Sequence, residues 1–230
     1  MVDVATNCRK VLERISEAAV KCGRDPKGIK LLAASKAQNV SRIRQGIEAG
    51  IGLFGENYVQ EAKAKWEAIK DPVEWHMIGH LQRNKVKTAL ELFDLIQSLD
   101  SLELAWELDR EGRKKGKRVR AYVEVNLGGE ESKSGIAKDI VESLLRAVGE
   151  LPHLRVEGLM VVPPFRENPE EVRPYFRALK ELQLELMALK LPNVELKELS
   201  MGMTHDYPVA IEEGSTLVRI GTAIFGPRSV

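Results

Sequence analysis

A lysine at the end of an apolar run is the residue of this sequence best suited to covalent chemistry. Lys36 directly follows the mostly apolar stretch 31–35, which is typical of a buried strand. A neutral lysine amine can form an imine with a carbonyl compound, and partial burial favours the neutral form. Strand parity leaves two orientations open, so the side chain faces either an enclosed site or the solvent.

Two glycine-containing loops near the C-terminus have the composition of a phosphate site. They are 200–204, which includes Ser200 and Gly202, and 221–223, which includes Gly221 and Thr222. Glycine permits close backbone approach, and free N–H groups and hydroxyls are donors for an anion. The alternative is that these glycines only turn the chain. With a reactive lysine nearby, the loops favour a phosphorylated carbonyl compound as ligand.

Arg219 lies one residue before the end of the apolar run 217–220, so the sequence places it in a strand. A buried arginine needs an acceptor because it cannot lose its proton. We therefore treat Arg219 as a candidate site residue.

Three other patterns have simpler interpretations. The G-x-G-x-x-G at 50–55 lacks the preceding strand of a dinucleotide site, so we interpret it as a turn. His76 and His80 have a zinc-protease spacing without its glutamate or its helix, so we predict no metal site. The basic run 110–120 has no interleaved aromatic residues, which favours a solvated helix end over a nucleic-acid surface.

Short apolar runs alternate with helical patterns along the chain, and this order predicts parallel strands joined by crossover helices. The predicted strands are 29–34, 51–54, 74–78, 93–97, 119–125, 156–162, 194–199 and 217–220. The predicted helices between them are 40–49, 58–69, 83–92, 101–115, 136–148, 174–189 and 206–213, with Asp206 as an N-cap. Eight such units favour a closed (β/α)8 TIM barrel, an α/β fold, over an open doubly wound sheet. In such a barrel, active groups lie at the carboxyl ends of the strands.

Composition limits the class of protein. The chain has 230 residues, 43% hydrophobic, with a net charge of +1, which excludes a disordered chain and gives no general attraction to nucleic acid or membranes. We expect one domain over residues 1–230, with an extra N-terminal helix over 1–22 packed on it. The first residues contain no apolar signal core, so we expect a cytoplasmic protein.

Several motifs together resemble a known family. The stretch 75–85, which reads WHMIGHLQRNK, is similar to a signature of the pyridoxal phosphate homeostasis protein family. The likeness continues through 34–36, 54–58, 132–135, 199–203 and 218–226. That family has the fold of the alanine racemase N-terminal domain. Nearly the whole chain is covered, in order.

The resemblance implies a set of site residues. Lys36 would carry pyridoxal 5′-phosphate as an internal imine, Ser200, Gly221 and Thr222 would bind its phosphate, Arg219 would face the pyridine nitrogen, and Asn57 would line the ring. Lys133 is implied to matter, without an assigned contact. One departure is that Thr204 and His205 stand where the family pattern has a serine and an acidic or polar residue.

The resemblance also implies a function in vitamin B6 homeostasis, as a monomeric carrier that buffers the cofactor and passes it to apo-enzymes, with no catalytic residues. An arginine at the pyridine nitrogen supports this function, because its charge disfavours protonation of that nitrogen. An unprotonated pyridine ring is a poor electron sink. The chain is also too short for the second domain that supplies a tyrosine base in alanine racemase. The alternatives are a weak amino-acid racemase or imine-forming aldolase, and more distantly an RNA-binding protein using residues 110–120.

Overall fold

Parallel strands and helices alternate along the chain in a computed structural model, which describes residues 2–129 and 134–227. The strands are β1 Lys30–Ala34, β2 Leu53–Glu56, β3 Glu74–Met77, β4 Leu95–Leu99, β5 Val119–Asn126, β6 Ile136–Ala137, β7 Leu154–Met160, β8 Val194–Met203 and β9 Leu217–Ile220. The α-helices are α1 Val4–Lys21, α2 Val40–Glu48, α3 Val59–Ala68, α4 Val86–Leu92, α5 Leu102–Lys114, α6 Val141–Val148, α7 Arg173–Met187, α8 Tyr207–Glu212 and α9 Thr222–Phe225.

All of these strands except β6 form one closed barrel. The hydrogen-bonded order is β4-β3-β2-β1-β9-β8-β7-β5, and β4 pairs with β5 to close it. Each pairing is parallel. The predicted (β/α)8 barrel is therefore confirmed. All carboxyl ends of its strands meet at one mouth, where such folds place their sites.

Two predicted elements differ from the structure by more than three residues at one end. The helix predicted over 136–148 begins only at Val141, because Ile136 and Ala137 instead form β6 and pair with Val125 and Asn126 at the end of β5. The apolar spacing of Ile136 and Ile140 imitates one helical turn, which explains the error. The strand predicted over 194–199 continues to Met203, so β8 reaches the mouth of the barrel.

The inward-facing residues of β1 indicate the direction in which Lys36 points. Leu32 belongs to a buried cluster inside the barrel, with Leu95, Tyr122, Met160 and Leu217. Successive side chains of a strand alternate between its faces. Leu32 and Ala34 therefore point inward, and Lys36 continues that face to the mouth. A second and larger apolar cluster lies between the strands and the surrounding helices.

Helix α1 covers part of the helical layer. The Oδ1 atom of Asp3 accepts a hydrogen bond from the Thr6 N–H at 3.0 Å and caps its first turn. Its apolar face packs against α2, α8 and α9 through the buried residues Val4, Cys8, Val11, Ile15, Ala18 and Ala19. Both cysteines are free thiols. None of the helices within 2–129 and 134–227 is long and apolar enough to cross a membrane.

Candidate functional site

A cavity of about 620 Å³ opens at the carboxyl ends of the barrel strands. Residues far apart in the sequence converge there because parallel strands end at the same mouth. The wall consists of Ala34, Lys36, Gln38, Asn57, Ile78, Gly79, His80, Glu124, Ser134, Val162, Pro163, Phe165, Met203, Thr204, His205, Asp206, Arg219, Gly221 and Thr222. This is the candidate functional site.

Five of the six residues that the sequence singles out line this one cavity. They are Lys36, Asn57, Arg219, Gly221 and Thr222. They lie near or just beyond the carboxyl ends of three neighbouring strands, β1, β2 and β9. The structure therefore brings an amine, an amide, a guanidinium and a hydroxyl around one volume. Whether each of them contacts a cofactor stays a prediction.

Ser200 lies elsewhere. It is fully buried beneath the cavity and is not part of its wall. Its hydroxyl donates to the Gln97 side-chain oxygen at 2.5 Å and accepts a hydrogen bond from Arg219 at 2.6 Å. In this structure the hydroxyl points into the barrel and supports Arg219, and the phosphate contact predicted for Ser200 stays a prediction.

Arg219 is held at the floor of the cavity by acceptors in β8 and directly after β7. Its Nη1 atom donates to the carbonyl oxygen of Ser200 at 2.7 Å, and its Nη2 atom donates to that of Val161 at 2.8 Å. Burial lowers the pKa of Arg219 to about 10. The guanidinium is thus still charged at neutral pH, and it has the acceptors that a buried arginine requires.

Glu124 is a site residue that the sequence analysis does not identify. Its carboxyl is buried, and its Oε2 atom has no hydrogen-bond partner among the described residues. Burial raises the pKa of Glu124 to about 7, although the charge of Arg219 opposes the rise. A carboxyl in an otherwise apolar stretch of β5 is the signal that identifies it, because a buried acid is rare without a role.

The segment that carries Lys36 is fixed on both sides. The Ser35 hydroxyl donates to Oε1 of Glu56 at 2.5 Å, and the Ala37 N–H donates to Oε1 of Glu61 at 2.6 Å. Ala37 has a φ of 59°, a left-handed conformation that a residue with a Cβ rarely adopts. These contacts hold the chain in an unfavourable turn directly after Lys36.

A buried ammonium joins these two anchors. The Nζ atom of Lys65 donates to the Ser35 carbonyl at 2.7 Å, to Glu56 at 2.8 Å and to Glu61 at 2.6 Å. Lys65 is only 5% exposed, and Glu56 is fully buried. Burial raises the pKa of Glu56, and the charge of Lys65 works against that rise. One ion cluster thus supports both neighbours of Lys36.

The two segments proposed for an anion meet at the carboxyl ends of β8 and β9, beside β1. The Ala223 N–H donates to the Thr204 hydroxyl at 3.4 Å, which joins the end of β8 to the start of α9. Gly202 has a φ of 95°, and a Cβ there would lie 2.6 Å from that of Ala210, so only glycine fits. Asp206 precedes α8 as predicted but does not cap it, because its Oδ1 accepts from the Met203 N–H at 2.7 Å.

The rim of the cavity carries two histidines and an exposed aromatic ring. The Nδ1 atom of His80 lies 3.0 Å from Oδ2 of Asp100. The ring of His205 lies 5.4 Å from that of Phe165, which is 74% exposed. Lys133, which the family resemblance singles out, lies outside the described residues.

The weaker sequence signals have structural explanations. No group of three metal-ligating side chains occurs within residues 2–129 and 134–227. In the basic run 110–120, Arg110, Lys114 and Lys115 form ion pairs with carboxylates. These pairs neutralise much of the local charge.

The fold and the site define the class of this protein: a (β/α)8 barrel with a lysine and an arginine in a cavity at the carboxyl ends of its strands. The chain belongs to the family described as "Alanine racemase, N-terminal domain", whose family model matches residues 7–229. The resemblance seen in the sequence is thereby confirmed.

Named relatives narrow the comparison. The chain is 49% identical to the pyridoxal phosphate homeostasis protein of Aquifex aeolicus, over 95% of this chain and 96% of that protein. It is 42% identical to the protein of the same name from Pseudomonas aeruginosa, over 99% and 97%. It is also similar to PipY of Synechococcus elongatus, solved with PLP bound, with a TM-score of 0.82 and 34% identity over 94% of this chain and 100% of that one.

Proposed function

We propose that this protein binds pyridoxal 5′-phosphate (PLP) through Lys36 and acts in PLP homeostasis as a carrier that delivers the cofactor to apo-enzymes. The observation that carries the proposal is the meeting of Lys36 and Arg219 in one cavity with hydroxyl-bearing loops. The PLP-bound relative PipY shares this fold at 34% identity, which supports the choice of ligand.

The donor set of the cavity fits PLP. Thr204, Thr222 and the backbone at Gly221 would hold the phosphate, because hydroxyls and N–H groups suit an anion. Arg219 would face the ring nitrogen, since its guanidinium only donates. Asn57 would lie along the ring. The cofactor supplies an aldehyde when bound, and the Lys36 amine is the nucleophile in the wall that can bond to it.

The surroundings of Lys36 and Arg219 suit the roles proposed for these two residues. The Ser35 and Ala37 contacts fix the backbone on either side of Lys36. Two backbone carbonyls hold Arg219 with its charge intact. A permanent cation beside the ring nitrogen disfavours a second proton there, which weakens carbanion chemistry. These features support storage of the cofactor over turnover of amino acids.

Weak amino-acid racemisation is the second candidate, and Glu124 is the observation that favours it. A two-base mechanism needs a proton donor or acceptor besides the lysine. Glu124 lies in the same cavity, and its pKa of about 7 suits either task. His80 lines the same wall and is a further candidate base.

A transfer assay tests the carrier function. The protein loaded with PLP is mixed with a PLP-dependent enzyme that has been stripped of its cofactor, and the recovered activity is followed. We expect activation without release of a comparable pool of free PLP, measured by adding a PLP-scavenging phosphatase. Activation that the phosphatase abolishes would contradict direct delivery.

We further propose that the protein is a monomer, which sedimentation at micromolar concentration would check.

A further inference from the structure

A continuous chain of hydrogen bonds runs through the barrel interior, from the floor of the cavity to the opposite end of the barrel. Arg219 Nη1 lies 2.6 Å from Ser200 Oγ, and that hydroxyl lies 2.5 Å from Gln97 Oε1. Gln97 Nε2 lies 2.8 Å from His76 Nδ1, and His76 Nε2 lies 3.0 Å from Glu74 Oε1. Four strands, β9, β8, β4 and β3, each contribute to the chain.

The chemistry of the end groups and the orientation of the Gln97 amide together give every link a direction. Arginine has no acceptor, so Arg219 donates and the Ser200 oxygen accepts. The Ser200 proton then points to the Gln97 oxygen, which leaves the Gln97 amide N–H to donate to Nδ1 of His76. The Nε2–H of His76 donates to Glu74. All donors point the same way, an arrangement in which hydrogen bonds polarise and strengthen one another.

The far end of the chain is an anion with its own counterion. The hydrogen bond from His76 lowers the pKa of Glu74 to about 2, and Arg120 contributes to the same effect. Arg120 Nη1 lies 2.9 Å from Glu74 Oε1. A cation at the cavity is thus connected to a carboxylate on the other side of the barrel core.

Packing alone does not account for these residues. His76, Gln97 and Ser200 are 2%, 0% and 0% exposed, inside a barrel whose other inward residues include leucines. Buried polar groups cost free energy unless they are hydrogen-bonded, and apolar residues of similar volume avoid that cost. The rings of His76 and Tyr122 also form a T-shaped pair, with centroids 6.4 Å apart and planes at 84°.

We propose that Glu74, His76, Gln97 and Ser200 are positioning residues for Arg219, and that the chain holds His76 as the neutral tautomer with its proton on Nε2. Nη1 of Arg219 is then committed to the barrel interior, which fixes the orientation of the guanidinium at the cavity floor. The proposed orientation affects ligand binding only if the proposed function holds. The tautomer of His76 does not depend on it.

The first experiment observes the tautomer directly. Long-range nitrogen–proton NMR correlation on uniformly ¹⁵N-labelled protein, at neutral pH and without added PLP, identifies which ring nitrogen of His76 carries the proton. We expect the Nε2–H form. A proton on Nδ1, or on both nitrogens, would overturn the proposal.

Gln97→Glu supplies the matched change in that experiment. The carboxylate has nearly the same shape but cannot donate to Nδ1, so we expect the Nε2–H pattern of His76 to be lost. A His76 spectrum that stays unchanged in Gln97→Glu would contradict the assigned direction of the chain.

The second experiment measures PLP affinity in two variants of His76. In His76→Asn the amide reaches the position of Nδ1 and keeps an acceptor for Gln97. In His76→Gln the amide reaches the position of Nε2 and loses that acceptor. We expect His76→Gln to weaken PLP binding about tenfold more than His76→Asn. The difference corresponds to the loss of one buried hydrogen bond in a chain that ends on a charged group.

Thermal unfolding of both variants serves as the control, because both leave a similar cavity. Equal PLP affinity in the two variants, at equal stability, would refute the positioning role. If wild-type protein shows no PLP binding while His76 is the Nε2–H tautomer, the proposed function fails and the hydrogen-bond chain stands.

Discussion

The Nζ atom of Lys65 lies 2.7 Å from the backbone carbonyl oxygen of Ser35, the residue directly before Lys36. A buried lysine thus holds the segment that presents a second lysine to the cavity. The same ammonium contacts Glu61, whose carboxylate accepts from the N–H of Ala37. Accuracy in placing the reactive amine depends on supporting contacts of this kind.

Replacing Lys65 tests that support. Lys65→Met leaves Glu56 buried without its cation, and breaking a buried ion pair costs about 3–5 kcal/mol of the free energy of unfolding. Lys63→Met is the control, because Lys63 forms an exposed pair with Glu67 at 3.9 Å that contributes at most about 1 kcal/mol. Urea unfolding of both variants measures the difference. Similar losses in the two would show that the buried cluster adds little.

Glu124 should make stability depend on pH. Its pKa is raised from 4.5 to about 7, so above about 4.5 the folded protein holds a proton that the unfolded chain has released. The free energy of unfolding should therefore fall as pH rises from about 4.5 to 7 and then level off, a loss on the order of 3 kcal/mol from this group.

Glu124→Gln provides the comparison for that pH profile. The amide does not titrate in this range, so the variant should lack this part of the slope and exceed the wild type in stability at pH 8. Urea unfolding at pH 5 and pH 8 measures both proteins. Parallel pH profiles would show that Glu124 titrates normally.

The sequence predicts the barrel well because its signals are local. Apolar runs and helical periods alternate, and they determine the strand order once the chain must close. Lys36 and Arg219 are identified because each interrupts or follows an apolar run. Glu124 is missed although its place in an apolar stretch is a sequence signal, and Lys65 is missed because its significance lies in its three-dimensional neighbours. The surroundings of Ser200 are not visible in the sequence for a related reason, since β8 continues past it to Met203 and its hydroxyl lies inside the barrel.

Lys36→Ala should abolish covalent attachment of PLP. Borohydride reduction of the loaded protein, followed by peptide mass spectrometry, should place the reduced adduct on the wild-type peptide that contains Lys36 and on no peptide of the variant. The phosphate contacts remain, so weak non-covalent binding should persist. An adduct on another residue would sink the assignment, and Lys133 is the first position to inspect.

Thr222→Ala should weaken PLP retention without lowering stability. It removes one exposed hydroxyl from the cavity wall, and a hydrogen bond to a charged acceptor contributes about 1.5–3 kcal/mol. Thr222→Ser keeps the hydroxyl and should retain most of the affinity in equilibrium dialysis. Ser200→Ala removes a different kind of hydroxyl, because the Ser200 hydroxyl contacts Arg219 and is not part of the cavity wall. Unchanged affinity in Thr222→Ala would argue against a phosphate contact at this loop.

The loaded protein should not racemise alanine at a rate typical of enzymes, about 1 per second or more. In the proposed binding mode, Arg219 places a positive charge beside the ring nitrogen and disfavours the proton that would strengthen the electron sink. Stereoinversion also needs acid–base groups on both faces of the ring, and Glu124 and His80 are candidates among the titratable residues of the cavity wall. Incubation of the loaded protein with each enantiomer of alanine, followed by chiral chromatography, measures the rate.

Turnover that disappears in both Lys36→Ala and Glu124→Gln would identify a two-base racemase and reject the carrier function. Turnover that persists in Lys36→Ala would instead indicate a contaminating enzyme and leave the expected inactivity of this protein in place.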